Sequence, residues 1–225
     1  MKKIKVLTDF LEPNDAIAQQ NREIFKKHRV LVLNLMSSPG AGKTLILEKT
    51  VEKLKKDFKF AVIEGDVATS NDAKRLAKYN IPVVQITTES FGGACHLDAS
   101  MVKKAMQDLD FSSIQILFIE NIGNLICPAE FDLGEDKKVI VLSLTEGEDK
   151  PSKYPVVFRN ANLLLINKTD LLPQLDINPD LILKNTKKVN AQLSSIMLSA
   201  KTGQGFKKWL DWLARQYQSK SKKAL

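Results

Sequence analysis

Eight consecutive residues constrain this chain more than any others: Ser37-Ser38-Pro39-Gly40-Ala41-Gly42-Lys43-Thr44. They follow an apolar run at 30–36 (VLVLNLM) and lead into a helical pattern at 45–54 (LILEKTVEKL). Strand, glycine-rich turn and helix, in that order, form the setting in which a phosphate-binding loop works. Backbone N–H groups of such a turn converge on a polyphosphate, and the helix start adds its partial positive charge. Ser38, Pro39, Gly40, Ala41 and Gly42 would form the cradle. Lys43 would reach the β- and γ-phosphates, and the Thr44 hydroxyl would ligate Mg²⁺. The first position of the G-x-x-x-x-G-K-[ST] pattern is Ser37 instead of glycine, and serine is small enough to keep the turn. The alternative is a chance glycine-rich turn ahead of a helix.

The rest of the chain repeats the strand–helix alternation. Apolar strands are expected at 59–64, 82–87, 114–120, 138–144, 162–167 and 195–199, and helices at about 71–79, 97–109, 181–191 and 206–217. That order predicts an α/β fold: a P-loop NTPase with a doubly wound, mostly parallel sheet and helices on both faces. Ahead of it, Asn14 or Asp15 would cap a helix running to about His28, with Ile17, Ile24 and Phe25 on one face. With no repeat and no low-complexity linker, residues 1–225 read as one domain, with 1–29 as an N-terminal helical extension. At 225 residues, 44% hydrophobic and 27% charged, the chain can bury a substantial core. No apolar run is long enough to span a bilayer, no secretory leader is visible, and two cysteines make no disulfide framework. A cytoplasmic protein is expected. The net charge of +8 comes from scattered lysines on solvated helix faces and a frayed tail at 220–223. There is no interleaving of aromatic and basic residues, so no nucleic-acid partner is expected.

In a doubly wound sheet, ligands bind at the carboxyl ends of the strands. Asn167-Lys168-Thr169-Asp170 follows such a strand and resembles the N-K-x-D base-recognition motif of GTPases. Asp170 would accept from N1–H and the exocyclic amine of guanine, a donor pair that adenine lacks. Lys168 would lie along the base plane, and Asn167 would tie the loop together. Ser199-Ala200-Lys201 would form a second loop against the base. Glu120-Asn-Ile-Gly123 stands where a D-x-x-G switch is expected. Glu120 would hold Mg²⁺ through a water, and the Gly123 N–H would meet the γ-phosphate. Asp66 and Asp72 lie on the other candidate switch, where either would hold a Mg²⁺ water or orient the attacking water. Helix capping is an equal alternative for Asp72. No glutamine follows Gly123, which implies slow intrinsic turnover.

The two cysteines fall in separate loops at the same edge: Cys95, followed by His96, and Cys127. Two thiolates and an imidazole suit Ni²⁺ or Zn²⁺ and leave a fourth position for water, another side chain or a second subunit. Buried, inert cysteines are the alternative on spacing alone.

Four stretches add a family resemblance: 64–66 (EGD), 93–99 (GACHLDA), 119–134 (IENIGNLICPAEFDLG) and 145–155 (TEGEDKPSKYP). Together, over roughly residues 14–215, they resemble the HypB family, the hydrogenase nickel-incorporation GTPases. The resemblance implies a GTPase of the signal-recognition and Min-type class that dimerises with GTP. It further implies nickel delivery to the immature large subunit of [NiFe]-hydrogenase alongside a HypA-type metallochaperone, with Cys95, His96 and Cys127 as the metal site. Two departures stand out. The N-terminal stretch has no cysteine motif, and His28 and His96 are the only histidines, so there is no histidine-rich storage tract. Either a partner supplies nickel or Cys95, His96 and Cys127 form its one site. The competing readings are a urease-accessory nickel GTPase, a small-molecule kinase, which Asn167–Asp170 argues against, and a metal-binding scaffold with vestigial GTPase activity.

Overall fold

The computed structural model describes residues 11–89 and 92–223. At its centre is β1 (Leu31–Ser37), buried along its whole length. A strand covered on both faces has no polar side, which is why 30–36 reads as a continuous apolar run. Helix α1 (Glu12–Lys27) precedes it. Then come α2 (Lys43–Leu54), β2 (Phe60–Asp66), α3 (Asn71–Ala77), β3 (Val83–Thr87), α4 (Ala99–Ala105) and β4 (Ile116–Gly123). The second half continues with β5 (Lys137–Ser143), α5 (Lys150–Lys153), α6 (Pro155–Asn160), β6 (Leu163–Asn167), α7 (Pro179–Val189), β7 (Ser194–Met197) and α8 (Phe206–Lys223). The strands form a seven-stranded sheet in the order β3-β2-β4-β1-β5-β6-β7, each adjacent pair parallel. This is the doubly wound P-loop NTPase architecture. All strand carboxyl ends emerge at one edge, and the winding reverses beside β1.

Strand alternation sorts the apolar residues into cores on the two faces. Leu31, Leu33, Leu35 and Phe118 pack under α2 and α8 against Ile46, Val51 and Trp209. Val32, Leu117 and Ile119 face the other way, against Phe25 of α1 and Val102 of α4. Further along that face, Ile140, Leu142 and Ile166 meet Phe158 of α6 and Ile182 of α7. A buried indole needs a partner, and Trp209 Nε1 donates to Thr50 Oγ1 at 2.8 Å.

The structure redraws several expected boundaries. Helix α1 starts at Glu12, with Pro13 in its first turn, and has no side-chain cap. Asn14 does not cap it. Asn14 donates to the Asp132 carbonyl and accepts from the Ala99 N–H, each at 2.9 Å, which joins α1 to α4. The helix expected over 97–109 is shorter. Asp98 caps it by accepting from Met101 N–H at 2.8 Å, and after Ala105 it tightens into a 3₁₀ turn. Strands β2 and β4 run further than expected, so Asp66 and Gly123 end strands instead of lying in the loops. Helices α5 and α6, each with a proline in its first turn, have no counterpart among the expected elements. The frayed tail expected at 220–223 is helical, and Lys220 pairs with Asp136 at 2.5 Å. Among the described residues no helix is long and apolar enough to cross a membrane. Residues 1–10 of the expected N-terminal extension lie outside the described residues.

Candidate functional site

The turn between β1 and α2 is held by its own residues. Gly42 has φ 100°, and a Cβ there would stand 2.5 Å from Asn167 Nδ2, so only glycine fits. Lys43 is 9% exposed and folds back to donate to Ser37 Oγ at 2.9 Å. Serine in place of the first glycine therefore has a specific use. Burial pulls the Lys43 ammonium below its ordinary pKa, and Glu120 opposes that shift. The Thr44 hydroxyl donates to Glu120 Oε1 at 2.7 Å. Gly123 comes so close to the loop that a Cβ would lie 3.0 Å from Pro39 Cα.

A pocket of about 290 Å³ opens beside this turn, lined by Lys43, Glu64, Asp66, Asp72, Glu120 and Gly123 among others. Glu64 and Glu120 are register partners on adjacent strands, 2% and 3% exposed. Burial, with Glu120 as the next cause, pushes Glu64 up to about 8. Burial raises Glu120 to about 6 against the pull of Lys43 and the Thr44 hydrogen bond. Each keeps one carboxylate oxygen, Oε2, buried with no hydrogen-bond partner. Desolvated oxygens in that position suit the bound waters of a small, hard divalent cation, so the donor set fits Mg²⁺. Asp66 accepts from Thr69 Oγ1 at 2.6 Å and Ala68 N–H at 3.2 Å. Asp72 does not cap α3, whose N-cap is Ser70. It pairs with Arg75 at 2.9 Å, and Arg75 also grips Glu48 of α2.

Asn167, at the end of β6, bridges three segments. Its Nδ2 donates to the Ala41 carbonyl at 2.9 Å and its Oδ1 accepts from Ala200 N–H at 3.0 Å. Lys168 sits at φ 63° and donates to the Gly40 carbonyl at 2.7 Å. Asp170 accepts from Ser199 Oγ at 2.6 Å. The two loops expected to flank a base are thus tied to each other and to the phosphate loop, while Lys201 is exposed beyond Ala200.

Cys95, His96 and Cys127 come together: one donor atom from each lies within 4.8 Å of the others. Cys95 Sγ is 2.8 Å from Cys127 Sγ and 4.0 Å from His96 Nδ1. Neither cysteine is buried, unlike the buried pair of the alternative reading. Contact with the Cys95 thiol, then burial, holds the Cys127 thiol above its ordinary value. Burial lowers His96, partly offset by Asp98, which favours the neutral imidazole a metal needs. The ring stacks on Phe131, centroids 3.9 Å apart.

Some residues of the site escaped sequence reasoning. Buried Asn121 accepts from Leu97 N–H at 3.2 Å and Ile122 N–H at 3.0 Å, and donates to Asn34 at 3.3 Å. Asn34 in turn donates to Glu135 at 3.2 Å. This chain of amides ties the loop carrying Cys95 and His96 to the end of β4. Asn124 adds a bond to the Cys95 carbonyl at 3.4 Å. Glu64 lay in a recognisable stretch, but its role depends on the β2–β4 register, which the sequence does not display.

The parallel sheet and its phosphate loop define a P-loop nucleotide-binding protein. Residues 31–196 match the family model described as CobW/HypB/UreG, nucleotide-binding domain. The hydrogenase maturation factor HypB of Azotobacter chroococcum is 48% identical over 95% of this chain and 69% of its own length. The crystal structure of HypB from Helicobacter pylori in complex with nickel superposes with TM-score 0.87 at 36% identity, covering 92% of this chain and 96% of the other. HypB from Archaeoglobus fulgidus gives 0.85 at 37% identity, covering 92% and 100%. The chain belongs to the hydrogenase maturation factor HypB family.

Proposed function

We propose that residues 1–225 form one GTPase domain, with 1–29 as a helical extension, that couples GTP binding and hydrolysis to nickel delivery in [NiFe]-hydrogenase maturation. One observation carries this reading. Strand β4 brings Glu120 and Gly123 to the phosphate loop, and the same segment continues to Cys127 in the thiol–imidazole cluster.

In this reading Lys43 exchanges Ser37 Oγ for β- and γ-phosphate oxygens and stabilises the charge that develops as water attacks the γ-phosphorus. The backbone N–H groups of Ser38, Pro39 excepted, through Thr44 cradle the phosphates, and Gly123 N–H meets the γ-phosphate. Thr44, with Asp66, Asp72 and Glu120 around it, would hold Mg²⁺, which would supply charge neutralisation for the phosphates. Asp66 or Glu120 orients the attacking water. Asp170 turns from Ser199 to guanine, beside Lys168 and the Ser199–Ala200–Lys201 loop, so GTP and GDP bind in preference to adenine nucleotides. Nickel is the cargo. Cys95, His96 and Cys127 bind it, zinc competes, and water or a second copy completes the coordination. The partners are a HypA-type nickel metallochaperone, the hydrogenase large-subunit precursor and a GTP-dependent homodimer, all in the cytoplasm.

The deciding experiment measures GTP turnover together with mass and bound nickel, with and without a non-hydrolysable GTP analogue. GTP hydrolysis abolished by Lys43→Ala, with stoichiometric nickel lost in Cys127→Ala, is the expected result. Turnover no higher than in Lys43→Ala would leave a metal-binding scaffold.

A further inference from the structure

The Cys95 and Cys127 sulfurs lie 2.8 Å apart. A disulfide bond is about 2.0 Å long, so less than an ångström of approach separates the thiols from a bond. The pair is reachable, because Cys95 is exposed and Cys127 half-buried. The segments are also held in register: Asn124 donates to the Cys95 carbonyl, and Asn121 fixes the Leu97 N–H. Two accessible sulfurs 32 residues apart in the chain, on segments tied together by the Asn121 and Asn124 side chains, form a built pair. An exposed thiol beside a resolving partner is the arrangement of redox-sensing cysteines.

We propose that Cys95 and Cys127 are a reversible modification site, oxidised to an intrachain disulfide by a peroxide. The exposed Cys95 thiol reduces hydrogen peroxide, taking up one oxygen as sulfenic acid and releasing water. Cys127 sulfur then attacks the Cys95 sulfur, the S–O bond breaks and a second water leaves with the Cys127 proton. Two thiols thus give two electrons and two protons to one peroxide, and a dithiol reductant reverses the step. The consequence for metal binding rests on the reading of the cluster as the nickel site. Oxidation removes two of its three donors, leaves His96 alone, and fastens the Cys95 loop to the segment that continues from β4. Bound nickel, in turn, engages both sulfurs and shields them.

The test uses the full chain at stoichiometric peroxide, following free thiols, intact mass and disulfide mapping, then nickel binding and GTP turnover on the same sample. The expected result is loss of two thiols and two hydrogens, a Cys95–Cys127 peptide link, and nickel affinity lowered at least about a hundredfold, since metal sites need their thiolates free. Reductant restores it, and prior nickel loading slows the reaction. Cys95→Ser and Cys127→Ser each block the link. Persistent thiols, sulfinic acid on Cys95, or crosslinks only between copies would overturn the proposal. A mapped intrachain disulfide with nickel affinity unchanged would leave the modification standing and overturn the metal site instead.

Discussion

The phosphate loop and the thiol cluster are linked by one short segment, from Gly123 beside Pro39 to Cys127, yet they are held in opposite ways. Around the loop the groups that would meet the nucleotide already have partners, Lys43 on Ser37, Thr44 on Glu120, Asn167 on Ala41, Lys168 on Gly40 and Asp170 on Ser199, while Glu64 and Glu120 each keep one oxygen unpaired. Lys43 and Thr44 are buried. At the cluster, Cys95 is exposed and the sulfurs contact each other. The difference follows from the ligands. A desolvated cation or hydroxyl left unpaired costs free energy, so a site for a polyanion keeps internal partners that the nucleotide can replace. On the proposed reading of the cluster as a metal site, its soft donors have little to lose by exposure, and a metal ion would organise them on arrival.

The strongest way to break this contrast is at the loop. Lys43→Ala should lower GTP turnover roughly a thousandfold, the scale seen when a group that meets transition-state charge is lost. The cluster should still bind nickel. Turnover within about tenfold of wild type, only about 1.4 kcal/mol of barrier, would show that the loop does not do the chemistry. Next in size is Asp170→Asn. Its half-buried carboxylate accepts from Ser199 and would turn from it to the base. The substitution inverts a donor and acceptor pair, so GTP binding should weaken about a hundredfold while xanthosine triphosphate binding strengthens. Competition titrations against both nucleotides would decide it; equal binding of ATP and GTP by the unaltered chain would sink base selection by this loop.

A smaller effect probes the buried side of the contrast. Glu64 has its carboxyl pushed up to about 8 from 4.5 when folded. Below the lower value both folded and unfolded chains hold the proton, and it contributes nothing. Between the two, the folded chain keeps a proton that the unfolded chain releases, so stability falls as pH rises. Above pH 8 the full cost is present. Glu64→Gln removes it. The nucleotide-free variant should match the unaltered chain near pH 4 and exceed it by about 2 kcal/mol near pH 8.5, water entry offsetting part of the full linkage. Denaturant titrations across that range check the sign; a gain that shrinks with rising pH would contradict the buried-acid account.

What was legible in the sequence follows the same division. The phosphate loop is contiguous, and each of its residues acts within one turn, so a short motif carries it. Strand β1 showed itself as an apolar run because both its faces are covered. The cluster was not legible from spacing, since Cys95 follows β3 and Cys127 follows β4, and the two meet only through the strand order β3-β2-β4. It was read from the resemblance of the surrounding stretches. The pairing of Glu64 with Glu120 and the amide chain Asn121–Asn34–Glu135 depend on register between strands, which leaves no local signal. Lys220 reads as tail from composition, and only its contact with Asp136, 84 positions away, makes it part of the fold.

The smallest effect tests whether the two regions, held so differently, are nonetheless coupled. Gly123 ends β4 with Pro39 of the phosphate loop within 3.0 Å of where a Cβ would lie. A γ-phosphate that draws the Gly123 N–H toward it must move this contact. Cys127 follows Gly123 by four positions, and Asn124 between them is bonded to the Cys95 loop, so a shift at Gly123 has a short path to both sulfurs. The sulfur-to-imidazole geometry should therefore differ between GTP and GDP states. Coupling of this kind typically reaches 1–3 kcal/mol, so nickel affinity should change about tenfold between the two nucleotide forms. By linkage, nickel must shift nucleotide affinity by the same factor, which gives an independent check on the same number. Asn124→Ala keeps all three donors but removes the link, and should bring the two affinities together while leaving turnover intact. Identical nickel affinity in the nucleotide-free, GDP and GTP-analogue forms of the unaltered chain would make the phosphate loop and the cluster neighbours without communication.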